Sequence, residues 1–317
     1  MPELVKASIP TRKAVGVHMK ELGASNPEFA VFEADIGSST SSMMFGKAYP
    51  DRYFDMGIAE LGMVSAAAGM AACGRTSLAF SYSIFLSTRA LEAIRTSICY
   101  PNLDVKFMGS HGGLSAAIDG VTHQATEDIA NISTLPNMKL AVPCDTNSAK
   151  KIFDISMNTP GPFYMRLLRD PYYELYTEAD EFHLGGSHIV KEGSDLTIGS
   201  YGDTLFQAIQ AAEKLQEQGI SAEVIDFYSI KPYDREGLMR SIAKTRRILI
   251  AENHQKRNGF GYEIANFLMT EGVFVPFAHI GIEDTFAESG KYSDIIAKYN
   301  LDSAAIERKA VELMTKE

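Results

Sequence analysis

Short apolar runs alternate with longer amphipathic stretches along the chain, the pattern of an α/β protein built on a mostly parallel sheet. Residues 29–34 (FAVFEA) predict a strand that delivers Asp35 at its C-terminal end. A helix rich in Ala and Met is expected over 58–72, with Gly74 as its stop. Residues 78–81 predict a short strand, 84–97 a helix, and 105–108 (VKFM) a buried strand ending in the loop 109–123. Further strands fall at 138–142 and 163–167, with a helix over 145–157 between them. The stretch 170–195, with Asp170-Pro171 and Gly185-Gly186, breaks this rhythm and predicts a connection between domains. Beyond it, strands at 195–200, 222–226 and 247–251 alternate with helices over 204–218, 234–243 and 261–270. The expected fold class is α/β, with two domains over 1–180 and 190–317, each a mostly parallel sheet flanked by helices. In open sheets of this kind ligands gather in loops at the strands' carboxyl ends.

Composition narrows the picture without changing it. A length of 317 residues fits about two domains, and 45% hydrophobic with 22% charged residues is ordinary for a globular protein. A formal net charge of −10 argues against a nucleic acid or an anionic membrane as the partner, although a few arginines can still hold a phosphate locally. The first residues, MPELVKASIPTRK, lack the basic stretch and apolar run of a signal peptide. No apolar segment approaches the roughly 18–20 residues of a membrane helix, and a soluble, cytoplasmic protein is expected. Cys73, Cys99 and Cys144 are widely spaced and odd in number, so neither disulfides nor zinc is indicated, and core packing is expected for all three.

Four segments carry candidate chemistry. The loop 110–124 holds His111, Asp119 and His123 among glycines directly after a buried strand. Glycines let backbone approach a ligand closely, but such histidines can equally cap local backbone. Glu60 sits near a helix start and is followed by an apolar stretch. It either decorates the helix dipole or is buried, and a buried carboxyl needs a partner or a raised pKa. The aromatics Phe80, Tyr82 and Phe85 are core or a platform for a flat heterocycle. Arg12, Arg166 and Arg169 are surface residues or phosphate ligands. The fragment Gly259-Phe260-Gly261 is too short to be a dinucleotide fingerprint, and the spacing of the two histidines fits no common metal motif.

Taken in order, the segments IPTRKA (9–14), EADIGSS (33–39), DMGIAELGM (55–63), FSYSIFL (80–86), RTSICYPNLDVKFMGSHGG (95–113), DGVTHQATEDIA (119–130), GPFYMRLLR (161–169) and AENHQKRNGFG (251–261) resemble the C-terminal part of transketolase across almost the whole chain. The resemblance implies a pyrimidine-binding domain and a transketolase C-terminal domain. It implies thiamine diphosphate as cofactor, with Glu60 as the acid that hydrogen-bonds the aminopyrimidine and promotes deprotonation of the thiazolium carbon. Tyr82 and Phe85 resemble the aromatics that bind that ring, and His111 and His123 the histidines that move protons on the substrate. Asp119 resembles the residue that reads a donor hydroxyl. Arg12, Ser39 and Arg169 resemble ligands of a terminal phosphate, and Asp35 a residue lining the same cleft.

The family's Gly-Asp-Gly motif, which marks the domain that binds the diphosphate and its divalent metal, has no counterpart in the sequence, and Gly202-Asp203-Thr204 lies in the wrong domain. The resemblance therefore implies a subunit inactive alone. Its N-terminal-section partner would hold the diphosphate with Mg²⁺ or Ca²⁺, in an α2β2 assembly around a dimer of this chain. The expected reaction is transfer of a two-carbon ketol unit from a ketose phosphate to an aldose. The alternatives are a 1-deoxyxylulose-5-phosphate synthase-like condensation, a 2-oxo acid dehydrogenase β chain, or a non-catalytic binding protein. Gly112 and Gly113 after His111, and Ile118 before Asp119, depart from the transketolase pattern and leave the sugar open.

Overall fold

A computed structural model describes residues 4–315. The first sheet has seven strands in the spatial order Ser229–Lys231, Lys139–Ala141, Phe163–Arg166, Val105–Ser110, Thr76–Tyr82, Phe29–Glu33 and Tyr53–Asp55. All neighbouring pairs are parallel except the first, where Ser229–Lys231 runs antiparallel to Lys139–Ala141. The central strands are buried throughout, which is why they appear in the sequence as continuous apolar runs. The second sheet has the order Phe277–Ile282, Ile248–Gln255, Leu196–Ser200, Ala222–Asp226 and His188–Lys191, with only the last strand antiparallel. A two-stranded ribbon pairs Val5–Lys6 with Tyr173–Glu174. The fold is thus α/β with two mostly parallel sheets flanked by helices.

Ser229–Lys231 lies in the second half of the sequence yet closes the edge of the first sheet, and the Val142 amide donates to the Tyr228 carbonyl at 2.8 Å. The connection after residue 170 is therefore crossed again in space. Helix Thr146–Asn158 starts where Asp145 and Ser148 form a reciprocal capping box. Helix Glu60–Ala72 buries Met63, Val64, Ala67, Ala68 and Ala71 and leaves Leu61, Gly62, Ser65 and Gly69 exposed.

Two expectations are corrected. The single helix over 84–97 is broken into Ser83–Ser87, Leu91–Ala93 and a π-turn over Ile94–Cys99. The Thr88 amide still donates to the Ile84 carbonyl at 3.0 Å, but Thr88 then leaves helical backbone at φ −121°, ψ −70°, and the Ala90 amide reaches five residues back to the Phe85 carbonyl at 3.0 Å. Cys99 and Cys144 are core residues, but Cys73 is exposed, because it caps the end of helix Glu60–Ala72 where the chain turns to solvent. Among the described residues no helix is long and apolar enough to cross a membrane.

Candidate active site

Parallel pairing sets the carboxyl ends of three strands along one rim. Tyr82 ends its strand opposite Ser110, and Gly109 lies opposite Arg166, so the segments that follow them emerge side by side. His111 takes the first position after its strand with φ +62°, a backbone region a non-glycine residue rarely enters, and is almost fully buried. Its Nδ1 lies 3.0 Å from Ser110 Oγ. The Tyr82 ring centroid is 4.3 Å from that of His111, 5.5 Å from that of His123 and 5.8 Å from that of Phe85. Phe85 and His123 are 5.4 Å apart. Four residues from one strand end, one short helix and both ends of the loop 111–123 thus form a single cluster.

Two arginines border it. Arg12 Nε donates to the Arg169 carbonyl at 2.9 Å, and its guanidinium also donates to the Ser39 carbonyl. Arg169 Nη1 donates to the Ala116 carbonyl at 3.0 Å and lies 3.8 Å from Asp119 Oδ2. Burial lowers the Arg12 pKa, and the neighbouring Arg169 adds to the lowering. Burial is also the main reason the His111 pKa falls to about 3, reinforced by Arg12, Arg169 and His123. His111 is therefore neutral near pH 7, a hydrogen-bonding group that carries no charge into a rim already holding two cations.

Glu60 is 2% exposed although the residues just before it are open to solvent. Its Oε2 accepts from Arg89 Nη1 at 2.9 Å, and the Arg89 Cζ lies 4.9 Å from the Phe85 ring centroid. Arg89 therefore links Glu60 to the aromatic cluster. Asp35 is exposed, and its amide donates to Asp55 Oδ1 at 3.1 Å. Arg166 is neither a surface residue nor a candidate phosphate ligand. It is fully buried, its Nε 3.2 Å from Asp128 Oδ2, and it donates to the Asn253 carbonyl at 2.8 Å.

Residue types and spacing did not single out Arg89 or Asn253. A cation in the otherwise apolar and small-residue run 80–91 is a visible anomaly, and it would have pointed to Arg89. Asn253 Oδ1 accepts from the Leu114 amide at 2.9 Å across 139 residues of sequence, a contact for which no local signal exists.

Residues 7–174 match the family model for the transketolase pyrimidine binding domain, and residues 185–306 match that for the transketolase C-terminal domain. The chain belongs to the transketolase family. A putative transketolase C-terminal section from Methanocaldococcus jannaschii is 36% identical, with 96% of each chain covered. A 6-deoxy-6-sulfo-D-fructose transketolase subunit from a Clostridium species is 34% identical, over 92% of this chain and 91% of that one. A split-gene transketolase solved as an inactive β4 tetramer superposes with a TM-score of 0.88 at 36% identity, covering 97% of this chain and 98% of that one. The match thus falls on the C-terminal section of transketolase, and the fold is that of its thiamine-diphosphate-binding pyrimidine domain followed by its C-terminal domain.

Proposed function

We propose that the chain is the C-terminal subunit of a split transketolase, transferring a two-carbon ketol unit from a ketose with a terminal anion to an aldose acceptor. The observation that carries this reading is the single cluster Tyr82–Phe85–His123–His111, with buried Glu60 on one side and the Arg12–Arg169 pair on the other. The carboxyl and aromatic residues suit a flat heterocycle, and the two arginines suit a phosphate or sulfonate. When bound, thiamine diphosphate supplies an electron sink for the two-carbon unit.

The chain's own residues do the remaining work in this reading. Glu60, excluded from bulk water, holds a hydrogen bond to the pyrimidine ring nitrogen, while Phe85 and Tyr82 offer aromatic faces to that ring. His111 and His123, neighbours across Tyr82, hold or move protons at the sugar's hydroxyl and carbonyl oxygens. Asp119 beside Arg169 reads the donor's hydroxyl geometry, and Arg12 with Arg169 clamps the terminal anion beside Ser39. Asp35 lines the outer part of the same cleft. A rim with two arginines and two histidines favours a sugar phosphate over a plain oxo acid, and the intact set of side chains disfavours a purely binding role. A partner subunit that holds the diphosphate and its metal completes the site in this reading, which is supported by relatives of similar length that are themselves described as a section, a subunit or the product of a split gene.

The test is co-expression with a transketolase N-terminal-section subunit, then assay with thiamine diphosphate and Mg²⁺. Ketoses ending in phosphate and in sulfonate are offered with ribose 5-phosphate. Turnover should need both chains and fall by at least about a hundredfold in Glu60→Ala. Full activity from this chain alone, or near-normal turnover in the variant, sinks the reading.

A further inference from the structure

Arg89 lies just beyond helix Ser83–Ser87, in the stretch where the helical ladder is interrupted. Its guanidinium makes two contacts at once: a 2.9 Å hydrogen bond to Glu60 Oε2, and a stacked approach with Cζ 4.9 Å from the Phe85 ring centroid. The Arg89 side chain is 53% exposed, whereas that of Glu60 is 2% exposed, so the arginine stands between the carboxylate and solvent. It has no third hydrogen-bond or ion-pair partner among the described residues.

A guanidinium is flat and delocalised, carries N–H donors in its plane, and offers a π-face above and below. An aminopyrimidine presents the same two elements, an in-plane partner for a carboxyl group and a face for an aromatic ring. Both cannot occupy the space between Glu60 and Phe85. We propose that Arg89 is a built-in occupant of the aminopyrimidine's place. It pairs with Glu60 and covers Phe85 while the cofactor is absent, and swings outward when the cofactor binds. The inference rests on the roles proposed above for Glu60 and Phe85.

The energetics make the exchange feasible in both directions. Glu60 is too buried to remain ionised and unpaired at small cost, so something must satisfy it in the empty chain. Arg89 keeps water on its outer side, and a half-exposed ion pair with one cation–π contact is weak enough to be displaced. Its long stem lets the head move into solvent without disturbing the buried neighbours Ala90 and Ala93.

The experiment titrates the cofactor-free two-subunit complex with thiamine diphosphate in Mg²⁺ by calorimetry, for the wild type, Arg89→Ala and Arg89→Lys. Removing a competitor of this strength should tighten binding roughly tenfold in Arg89→Ala. Arg89→Lys keeps the charge but cannot stack flat, and should fall between the two. The gap between wild type and Arg89→Ala should narrow as salt is raised, because the displaced contact is an ion pair open to solvent. A thermal melt guards against misfolding: Arg89→Ala should gain more stability from the cofactor than the wild type does. Unchanged or weaker binding in Arg89→Ala, with the wild type binding normally, overturns the role of Arg89 alone. If the wild-type complex binds no thiamine diphosphate, the reading of Glu60 and Phe85 fails and Arg89's role falls with it.

Discussion

Asp226 offers a quantitative probe of the seam between the two domains. It ends strand Ala222–Asp226 of the second sheet, fully buried, and its Oδ2 accepts from the Tyr176 hydroxyl at 2.8 Å and lies 3.9 Å from Cys144 Sγ. Its Oδ1 is buried without a partner. Burial, with the nearby Asp145 adding to it, pushes the carboxyl up to about 8 from 3.8, although the Tyr176 and Cys144 contacts pull the other way. The folded chain thus carries this proton at pH 7, while the unfolded chain has released it. Across the window from about 4 to 8 the native state binds one more proton, so stability falls as pH rises, with a slope approaching 1.4 kcal/mol per pH unit. From pH 5.5 to 7.5 that amounts to roughly 2–3 kcal/mol.

Asp226→Asn removes the titration. The amide also places a donor where Oδ1 has no partner, a fixed penalty of about 1–3 kcal/mol. That penalty is independent of pH, so the diagnostic is the slope and not the offset. Urea unfolding of the wild type and the variant should be followed at pH 5.5, 6.5, 7.5 and 8.5 at one ionic strength. The variant should gain on the wild type by about 2–3 kcal/mol between 5.5 and 7.5, levelling near 8. Parallel curves across the whole range would show Asp226 ionised in the native seam and refute the assignment.

Two further predictions concern the rim itself. His111, lowered to about 3 by burial and by Arg12 and Arg169, should stay unprotonated in a histidine NMR titration from pH 7 to 4, and a midpoint near 6.5 would contradict this. By linkage the native state binds fewer protons there between about 3 and 6.5, so this histidine's contribution to stability grows with pH through that window. Asn253→Ala frees the Leu114 amide beneath the His111 loop, and should lower kcat/KM for the sugar roughly ten- to a hundredfold while thiamine diphosphate affinity stays within about twofold. Equal losses in both would mean general unfolding instead of loop displacement.

The strands were legible because a strand covered on both faces must be apolar throughout, and 29–33, 105–110 and 196–200 are buried along their whole length. Ser229–Lys231 was not legible: it has three residues, one of them lysine, and its place beside Lys139–Ala141 is set by a contact across the chain. The break after Ser87 lies in the backbone of Thr88, φ −121° and ψ −70°, which helical spacing of apolar residues does not record. In the candidate site, His111, Asp119 and His123 share one short segment, so residue type and resemblance located them together. The Arg12–Arg169 contact spans 157 residues, and no spacing rule could have produced it. Arg89 and Asn253 went unnoticed for a related reason. The partners of both are fixed by tertiary contacts; Arg89 at least stands out as the one charge in the run 80–91, whereas Asn253 carries no local signal.

The loop between His111 and His123 shows why a site needs more than the side chains that line it. His111 at φ +62° and Ala117 at φ +49° both occupy backbone regions that favour glycine, so the loop is costly unless its surroundings hold it. The first domain supplies part of the grip: Gly113 and Ala125 exchange backbone hydrogen bonds of 3.0 Å, and Arg169 holds the Ala116 carbonyl. The second domain supplies the rest. Asn253 holds the Leu114 amide, the Gln255 amide donates to the Thr126 carbonyl at 2.7 Å, Ser289 Oγ donates to the Ile118 carbonyl at 2.6 Å, and Gln124 reaches the Glu288 carbonyl at 3.0 Å. Asn253 is itself fixed by Asp203, which accepts from its Nδ2 at 2.7 Å. Gly113 has no room for a side chain, since a Cβ there would lie 2.6 Å from both Asn253 and Arg166. The second domain therefore supports the His111–Tyr82–His123 cluster without lending it a side chain. It fixes the backbone that joins His111 to His123, so the shape of that loop depends on both domains.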